Sequence, residues 1–212
     1  MKYAKADTFF TAGERVRIEQ TIKEIESRTI GEVAVMIVDG SDRYVDAEII
    51  GGVLFGSLLS LIVTVSFFHA SVWSFIPLSF LFFFPARFAV KGIPPVKAAC
   101  IGVRRKEDAV RQRALRAFYE KGLHRTKKNT GLLFFLSVLE RKVWVLADAG
   151  IYERIEQETL NRFAETISRG IREGRACDAL CEDMREAGEL LARHFPLTPG
   201  DIDELSNKLM TE

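Results

Sequence analysis

The sequence predicts an α/β protein: a compact α-β-α sandwich with a small mixed sheet, interrupted by a two-helix transmembrane hairpin. Three observations predict this fold. The stretch between Glu48 and Arg87 contains no Lys, Arg, Asp or Glu. Three short apolar runs bounded by turn residues are typical of strands. The segments around these runs repeat apolar residues at helical spacing, which predicts amphipathic helices that cover the sheet.

The uncharged stretch is about twice as long as one membrane-spanning helix, which needs about 20 residues. We predict one span at Ile49–Phe68 and a second at Val72–Val90, with the turn at His69–Ser71. Gly52 and Gly56 form a small-xxx-small pair that permits two helices to approach closely. The alternative is a buried hairpin in a soluble core, but a domain of this size has little room to cover two such helices.

Two spans place both flanks of the hairpin on the same side of the membrane. Basic residues cluster after the second span, among them Lys91, Lys97 and the run Arg104–Lys106. The positive-inside rule therefore predicts a multi-pass protein of the inner membrane with a cytoplasmic soluble domain. We expect the lipid bilayer and a membrane protein as partners. A formal net charge of +1 argues against a general nucleic-acid binder.

The soluble part is predicted in the order α-β-hairpin-α-β-β-α-α. Thr11 and Glu14 have the spacing of a capping box at the start of the first helix. The predicted helices are Ala12–Arg28, Arg104–Leu123, Ile151–Glu173 and Cys177–Phe195, and the predicted strands are Glu32–Val38, Leu132–Val138 and Lys142–Ala147.

This order predicts a discontinuous domain. Residues 8–46 form its first part, residues 47–91 form the hairpin, residues 92–196 form its second part, and residues 197–212 form a loosely held tail. Cys177 and Cys181 are four residues apart and share a helix face, and no Cys or His at zinc-type spacing accompanies them. We therefore interpret them as buried structural thiols, because free cysteine behaves as a small apolar side chain.

Several motifs resemble the TPM domain family. The segment Gly31–Val38, preceded by a helix that opens with Thr11–Arg15, is similar to the start of such a domain. Gly122–Thr126 and Thr130–Ile151 resemble its sheet core. Ile171–Arg175 and Leu190–Pro196 resemble its C-terminal helices.

This resemblance implies an α-β-α sandwich and two kinds of function. The family includes thylakoid and bacterial membrane-associated members, and phosphatase activity and calcium binding are attributed to some of them. Many members carry two adjacent aspartates before the arginine of the strand–strand turn, whereas this turn reads Leu139-Glu140-Arg141. Only one carboxylate remains, which weakens the case for a metal site.

The leading hypothesis is a membrane-tethered TPM domain that binds partners, in membrane protein quality control or complex assembly. The alternative is a weak metal-assisted phosphatase with Glu140, Arg141 and Asp148 as its catalytic residues and calcium or magnesium as its ion. Glu140 could then hold a cation or a proton, and Arg141 a phosphate. Both would otherwise simply be charged residues of a solvated turn.

Three further residues are candidates for binding. Asp148 follows a strand and is placed either to contact a ligand or to cap the next helix, and capping is favoured. His124 could act as an acid or base near neutral pH, and Arg125 could bind an anion. The chain has no Gly-rich phosphate loop and no H-E-x-x-H motif.

Overall fold

A computed structural model describes residues 5–68, 71–126, 128–197 and 208–212. The chain separates into two compact units, which we call the sandwich unit (residues 1–41 and 107–212) and the hairpin unit (residues 42–106). The helices are α1 (Ala6–Phe9), α2 (Ala12–Glu26), α3 (Val45–Phe67), α4 (Val72–Gly92), α5 (Pro94–Cys100), α6 (Val103–Glu120), α7 (Ala149–Tyr152), α8 (Gln157–Glu173) and α9 (Ala176–His194). The strands are β1 (Glu32–Val38), β2 (Gly131–Ser137), β3 (Lys142–Ala147) and β4 (Met210–Thr211).

The four strands form one mixed sheet in the order β3-β2-β1-β4. β1 and β2 are parallel and stay in register from Glu32 opposite Gly131 to Val38 opposite Ser137. β2 and β3 form an antiparallel hairpin, and β4 pairs in parallel with the other side of β1. Every residue of β1 and β2 is buried, as expected of central strands with helices on both faces.

Helices cover both faces of this sheet. On one face α2, α8 and α9 contribute Ile22, Phe163 and Leu180 to a core that also contains Phe134 of β2. On the other face α6 packs against the sheet and contributes Val110, Ala114, Ala117 and Phe118. The α-β-α sandwich with a small mixed sheet, predicted from the sequence, is confirmed.

Local signals placed the starts of α2, α4, α6 and α9 to within one residue. Thr11 and Glu14 form the expected capping box, in which each side chain accepts a hydrogen bond from the other residue's backbone N–H. The single helix predicted at Ile151–Glu173 is wrong, because the segment divides into α7 and α8. Ile151 and Ile155 are both buried, so the turn between the two helices returns the chain to the core.

The C-terminal tail is not a uniformly loose arm as predicted. Its last residues form β4, which pairs Met210 with Met36. The backbone N–H of Glu212 also donates to the carbonyl oxygen of Ile37 at 3.0 Å, and Arg113 of α6 forms an ion pair with the Glu212 side chain. Residues 198–207, which belong to the same predicted tail, lie outside the described part of the chain.

The hairpin unit extends further than the predicted residues 47–91. The segment after the second long helix forms the short helix α5, which begins with Pro94 and Pro95 at positions that accept proline. Lys97 on α5 forms an ion pair with Glu48 on α3 at 2.7 Å, and both side chains are largely buried. This ion pair joins α5 to the first turn of α3.

A stripe of small and polar residues lets α3 and α4 pack closely. Gly52, Gly56, Ser60 and Thr64 recur every four residues on α3, and all four are buried. A Cβ atom added at Gly56 would lie 3.0 Å from the backbone of Phe83 on α4. The hydroxyl of Ser60 donates to the carbonyl oxygen of Phe75 at 3.0 Å. The small-xxx-small pair predicted from the sequence therefore lies between the two helices of the same hairpin.

The outer surfaces of α3 and α4 are apolar and exposed. Phe80, Phe84 and Phe88 are 72%, 66% and 77% exposed, and none of the most apolar window of α4 is buried. Both helices are long and apolar enough to cross a membrane. This exposure contradicts the alternative of a hairpin buried in a soluble core. His69 and Ala70, where the turn was predicted, lie outside the described residues.

The two cysteines of α9 lie in the core of the sandwich unit. Cys177 and Cys181 are 4% and 0% exposed. Burial raises the pKa of Cys177 to about 12, so its reactive thiolate form is rare at neutral pH. The interpretation of both as buried thiols is confirmed.

Asp183 on α9 is a buried carboxyl group that faces α8. Its Oδ2 atom has no hydrogen-bond partner among the described residues. Burial and the nearby Glu186 raise its pKa from 3.8 to about 7, and Arg162 opposes this increase in part. Near neutral pH the group therefore changes charge inside the α8–α9 contact.

We expect Gly56→Leu to disrupt the packing of the hairpin, because the new side chain would collide with the backbone of Phe83. The thermal midpoint of the full chain in detergent should fall by several degrees. Val53→Leu is the matched control, since Val53 is 53% exposed on the same helix. Equal midpoints for the two variants would contradict close α3–α4 contact at Gly56.

The stability of the sandwich unit should decline as the pH rises from about 4 to about 7. The folded state holds the Asp183 proton more tightly than the unfolded state, so folding is favoured most where Asp183 is protonated. Each pH unit in this window costs up to about 1.4 kcal/mol. Asp183→Asn should flatten this part of the profile and raise the thermal midpoint at about pH 8. Glu189→Gln, an exposed change on the same helix, should leave the profile unaltered.

Candidate functional site

Glu140 lies in the β2–β3 turn and is 7% exposed. Its Oε1 atom accepts a hydrogen bond from the backbone N–H of Ser41 at 2.9 Å, and its Oε2 atom accepts one from the hydroxyl of Ser137. The hydroxyl of Ser41 also donates to the hydroxyl oxygen of Ser137 at 2.9 Å. The carboxylate therefore joins the loop after β1 to the turn after β2, and both of its oxygens are engaged in doing so.

Arg141 completes this turn with a backbone φ of 52°, in the left-handed region. A residue other than glycine in this region is uncommon and carries some strain. Arg141 is half-buried, beside the fully hydrogen-bonded Glu140.

Asp148 lies at the opposite end of the sheet. It is the N-cap of α7, where its Oδ1 atom accepts a hydrogen bond from the backbone N–H of Ala149 at 2.8 Å. β3, which separates it from Arg141, has six residues, or about 20 Å at about 3.4 Å per residue. Glu140, Arg141 and Asp148 therefore do not converge on one site, and the capping role expected for Asp148 is present.

His124 and Arg125 lie at the same end of the sheet as Asp148, in a short 3-10 helix before β2. The ring of His124 packs against that of Tyr119, with the centroids 4.8 Å apart. His124 Nδ1 and Asp148 Oδ2 are buried, and neither has a hydrogen-bond partner within the described ranges. Arg125 is exposed. Binding roles for His124 and Arg125 stay predictions.

The turn does not fit a calcium or magnesium ion. Such ions take six or more oxygen ligands, several of them from carboxylates. Here the one carboxylate of the turn is already bound to a backbone N–H and a hydroxyl group. In the part of the chain that the structure describes, no three His, Cys, Asp or Glu side chains are arranged to hold a metal ion.

A groove that the sequence did not predict runs along the free edge of β3. Its volume is about 630 Å³, within the range of ligand-binding clefts. β3 forms its floor, α6 forms one wall with residues 107–111, and α8 forms the other with residues 161–172. All of these residues belong to the sandwich unit.

The backbone of β3 forms the edge of the sheet beside this groove. The N–H of Asp148 donates to Gly131 of β2, so alternate residues from Val143 to Ala147 direct their N–H groups away from the sheet. Ser168 accepts from Val143 at 3.1 Å, and the hydroxyl of Tyr152 accepts from Ala147 at 3.4 Å. No side chain in the described ranges caps the N–H of Val145, which lies between them. The edge is thus capped at both ends, and Val145 at its centre is only 3% exposed.

Charged side chains line both walls of the groove. Lys142 and Glu107 form an ion pair across its end at 2.6 Å. Arg111, Arg169 and Arg172 also line it, together with the acidic Asp108 and Glu165, so basic and acidic side chains alternate with one another around the groove. The alternation of Lys142, Trp144 and Leu146 with buried residues was visible in the sequence, but only the strand order shows that β3 is an edge strand.

We expect Glu140→Gln to destabilise the sandwich unit, because a neutral amide accepts hydrogen bonds more weakly than a carboxylate. The loss should be about 1–3 kcal/mol, measured as a lower thermal midpoint of the full chain in detergent. Glu153→Gln, an exposed change beyond the groove, is the control. An unchanged midpoint together with loss of a divalent-ion-dependent phosphatase activity would instead support a catalytic Glu140.

Comparisons with known proteins agree with this fold. Residues 99–188 match the TPM domain family. The matched range contains the Thr130–Ile151 motif but leaves out β1. No curated protein matches the chain. The NMR structure of the BA42 protein from the psychrophilic bacterium Bizionia argentinensis is similar, with a TM-score of 0.60 and 20% sequence identity over 96% of each chain. At that identity the likeness shows the fold alone. The chain thus carries a TPM domain at residues 99–188.

Proposed function

We propose that the chain is a membrane-tethered TPM protein whose sandwich unit binds a partner protein at the inner membrane. Its role would lie in membrane protein quality control or in the assembly of a membrane complex. The hairpin supplies the anchor, and the groove beside β3 supplies the contact surface.

The anchor is supported by the surface of the hairpin unit. The exposed apolar surface of α3 and α4 would promote aggregation of a soluble monomer, whereas in a bilayer the same surface contacts lipid. Trp73 is 87% exposed at the start of α4, where an aromatic ring suits a membrane interface. The basic residues that follow α4 favour a cytoplasmic location for the sandwich unit.

The groove is the observation that carries the binding function. It is large enough for a segment of another protein, and it combines half-buried Trp144 with the side chains of Arg111, Arg169 and Arg172. Aromatic and arginine side chains are enriched at protein–protein contacts. The predicted phosphatase residues, in contrast, are distributed over two ends of the sheet, so the enzymatic alternative stays a prediction without a geometric argument.

We expect a photo-crosslinking amino acid at Asn161, on the α8 wall, to form an adduct with a partner in intact membranes. The same amino acid at exposed Arg154, outside the groove, should form none. The measurement is the size of the crosslinked product and its identification by mass spectrometry. Equal adducts at both positions, or none at either, would contradict partner binding in the groove.

A further inference from the structure

We propose that the hairpin unit binds one anionic phospholipid of the cytoplasmic leaflet, with an acyl chain in a groove between α3 and α4 and the phosphate group beside Arg87. This hairpin groove has a volume of about 320 Å³ and is lined by Ile49, Val53, Ser57, Ser79, Phe80 and Phe83. The proposal rests on the membrane tether of the proposed function and adds a specific ligand to it. It follows from the chemistry of the hairpin groove, from its length and from the charges at one of its ends.

The walls of the hairpin groove favour an apolar ligand. Four of the six lining residues are aliphatic or aromatic. The two serine hydroxyl groups already donate to carbonyl oxygens of their own helices, that of Ser57 to Leu54 at 3.2 Å and that of Ser79 to Phe75 at 2.8 Å. A polar ligand would lose hydrogen bonds to water that these walls hardly replace, whereas a hydrocarbon chain loses none.

Small residues shape the hairpin groove. A Cβ atom added at Gly56 would lie 3.0 Å from the backbone of Phe83, so α3 and α4 are in close contact along one side of the groove. Ser57 and Ser79, its two smallest lining residues, widen it next to this contact. Because α3 and α4 are antiparallel, both serines lie at the same end, which is the end inside the membrane. The hairpin groove therefore has room for a chain that enters from the membrane surface.

The length of the hairpin groove matches one leaflet of a bilayer. Along α3 it extends from Ile49 to Ser57, a distance of about 12 Å at about 1.5 Å per residue. One leaflet contributes half of a hydrocarbon core of about 30 Å. Ile49 directly follows Glu48, the last charged residue before the apolar stretch, so the groove begins at the membrane surface and ends near the midplane. An acyl chain whose headgroup stays at the surface has this direction and this reach.

Two basic residues continue the α4 wall towards the membrane surface. Arg87 and Lys91 follow Phe83 at intervals of four residues, which places all three on one face of α4. A Cβ atom added at Gly52 would lie 2.9 Å from the Cβ atom of Arg87, so Arg87 is beside the outer end of the hairpin groove. Neither Arg87 nor Lys91 has an ion-pair partner in the part of the chain that the structure describes. The guanidinium group can therefore bind a phosphate through two hydrogen bonds.

The acidic residues of the hairpin unit are paired with other bases. Glu48 forms an ion pair with Lys97 at 2.7 Å. Arg105 forms an ion pair with Asp42 and lies 3.8 Å from Asp46. Seven Lys and Arg residues against these three carboxylates give the hairpin unit a net charge of +4. This charge favours an anionic headgroup over a zwitterionic one, as in basic pockets between other membrane helices.

The width of the hairpin groove disfavours a partner helix as its occupant. A volume of about 320 Å³ over about 12 Å leaves a mean cross-section of about 27 Å². An α-helix with a diameter of about 10 Å has a cross-section of about 80 Å². Only single side chains of such a helix could enter, whereas one acyl chain can lie along the whole groove.

The test uses the full chain in phosphatidylcholine nanodiscs that contain a small fraction of a phospholipid with a photoactivatable group in one acyl chain. A phosphatidylglycerol probe is compared with a phosphatidylcholine probe that has the same chains, and adducts are mapped by mass spectrometry. We expect the phosphatidylglycerol probe to label residues 53–57 and 79–83 about tenfold more strongly than the other probe. Labelling of Phe88, which is 77% exposed outside the groove, is the reference for ordinary lipid contact.

The headgroup contact is tested by Arg87→Gln together with Lys91→Gln. This pair should reduce the preference for phosphatidylglycerol by about tenfold, because it removes both bases of the α4 face. Arg43→Gln with Arg104→Gln removes two exposed arginines of the same unit that do not line the groove, and the preference should remain.

The acyl-chain contact is tested by filling the inner end of the hairpin groove. Ser57→Leu and Ser79→Leu should each reduce labelling of the groove by the phosphatidylglycerol probe, and Leu58→Phe, at an exposed position beside it, should not. The two filling variants lie on different helices. If the thermal midpoint shows that one of them folds poorly, the other still provides the test.

Three results would overturn the proposal: equal labelling of the groove by both probes, insensitivity to R87Q with K91Q, and the same preference for phosphatidylglycerol at Phe88 as in the groove. Each would show only the lipid contact of any membrane helix. The tether itself is tested separately, by extraction of native membranes with alkaline carbonate. A chain that stays in the membrane without a lipid preference refutes the lipid site alone, whereas its release refutes the tether of the proposed function.

Discussion

The parallel ladder between β1 and β2 is the contact on which the sandwich unit depends. The two strands pair along their full lengths, although the hairpin unit and most of α6 lie between them in the chain. Both strands are buried on both faces, so their ladder orders the two cores at the same time. Glu140 reinforces this contact at the carboxyl ends of the strands through its bonds to Ser41 and Ser137. A carboxylate in this position is therefore understandable without catalysis.

The sequence contained enough information to predict β1, β2 and β3 but not the order of the strands in the sheet. β1 and β3 begin and end where the pattern of apolar and turn residues predicted, because those patterns are local. β4 escaped prediction because it has only two residues and depends on a distant partner strand. The break between α7 and α8 was missed for a similar reason. No glycine or proline marks this break, and the chain leaves the helix where Ile151 and Ile155 pack against the core.

Local sequence patterns were also insufficient to predict the candidate site. The TPM resemblance and the charges pointed to Glu140, Arg141 and Asp148, which are close in sequence, but β3 separates Asp148 from the other two in space. The groove, by contrast, joins α6, β3 and α8, whose residues are distant in the sequence. Its formation requires that β3 be an edge strand and that α6 and α8 lie on either side of it. Neither fact can be obtained from a local pattern, because both are properties of the completed sheet.

The discontinuity of the sandwich unit has a consequence for how the protein is made. When the ribosome has completed α2 and β1, the parallel partner of β1 does not yet exist, and residues 42–106 must emerge before β2 can be synthesised. During that interval the apolar residues of β1 have no sheet to join, which is the situation in which nascent chains associate wrongly. The second neighbour of β1 is β4, at residues 210–211, so both sides of this strand are completed late. An early insertion of the hairpin into a bilayer would restrict the diffusion of β1 and so shorten the time that β1 and β2 need to meet once β2 has been synthesised.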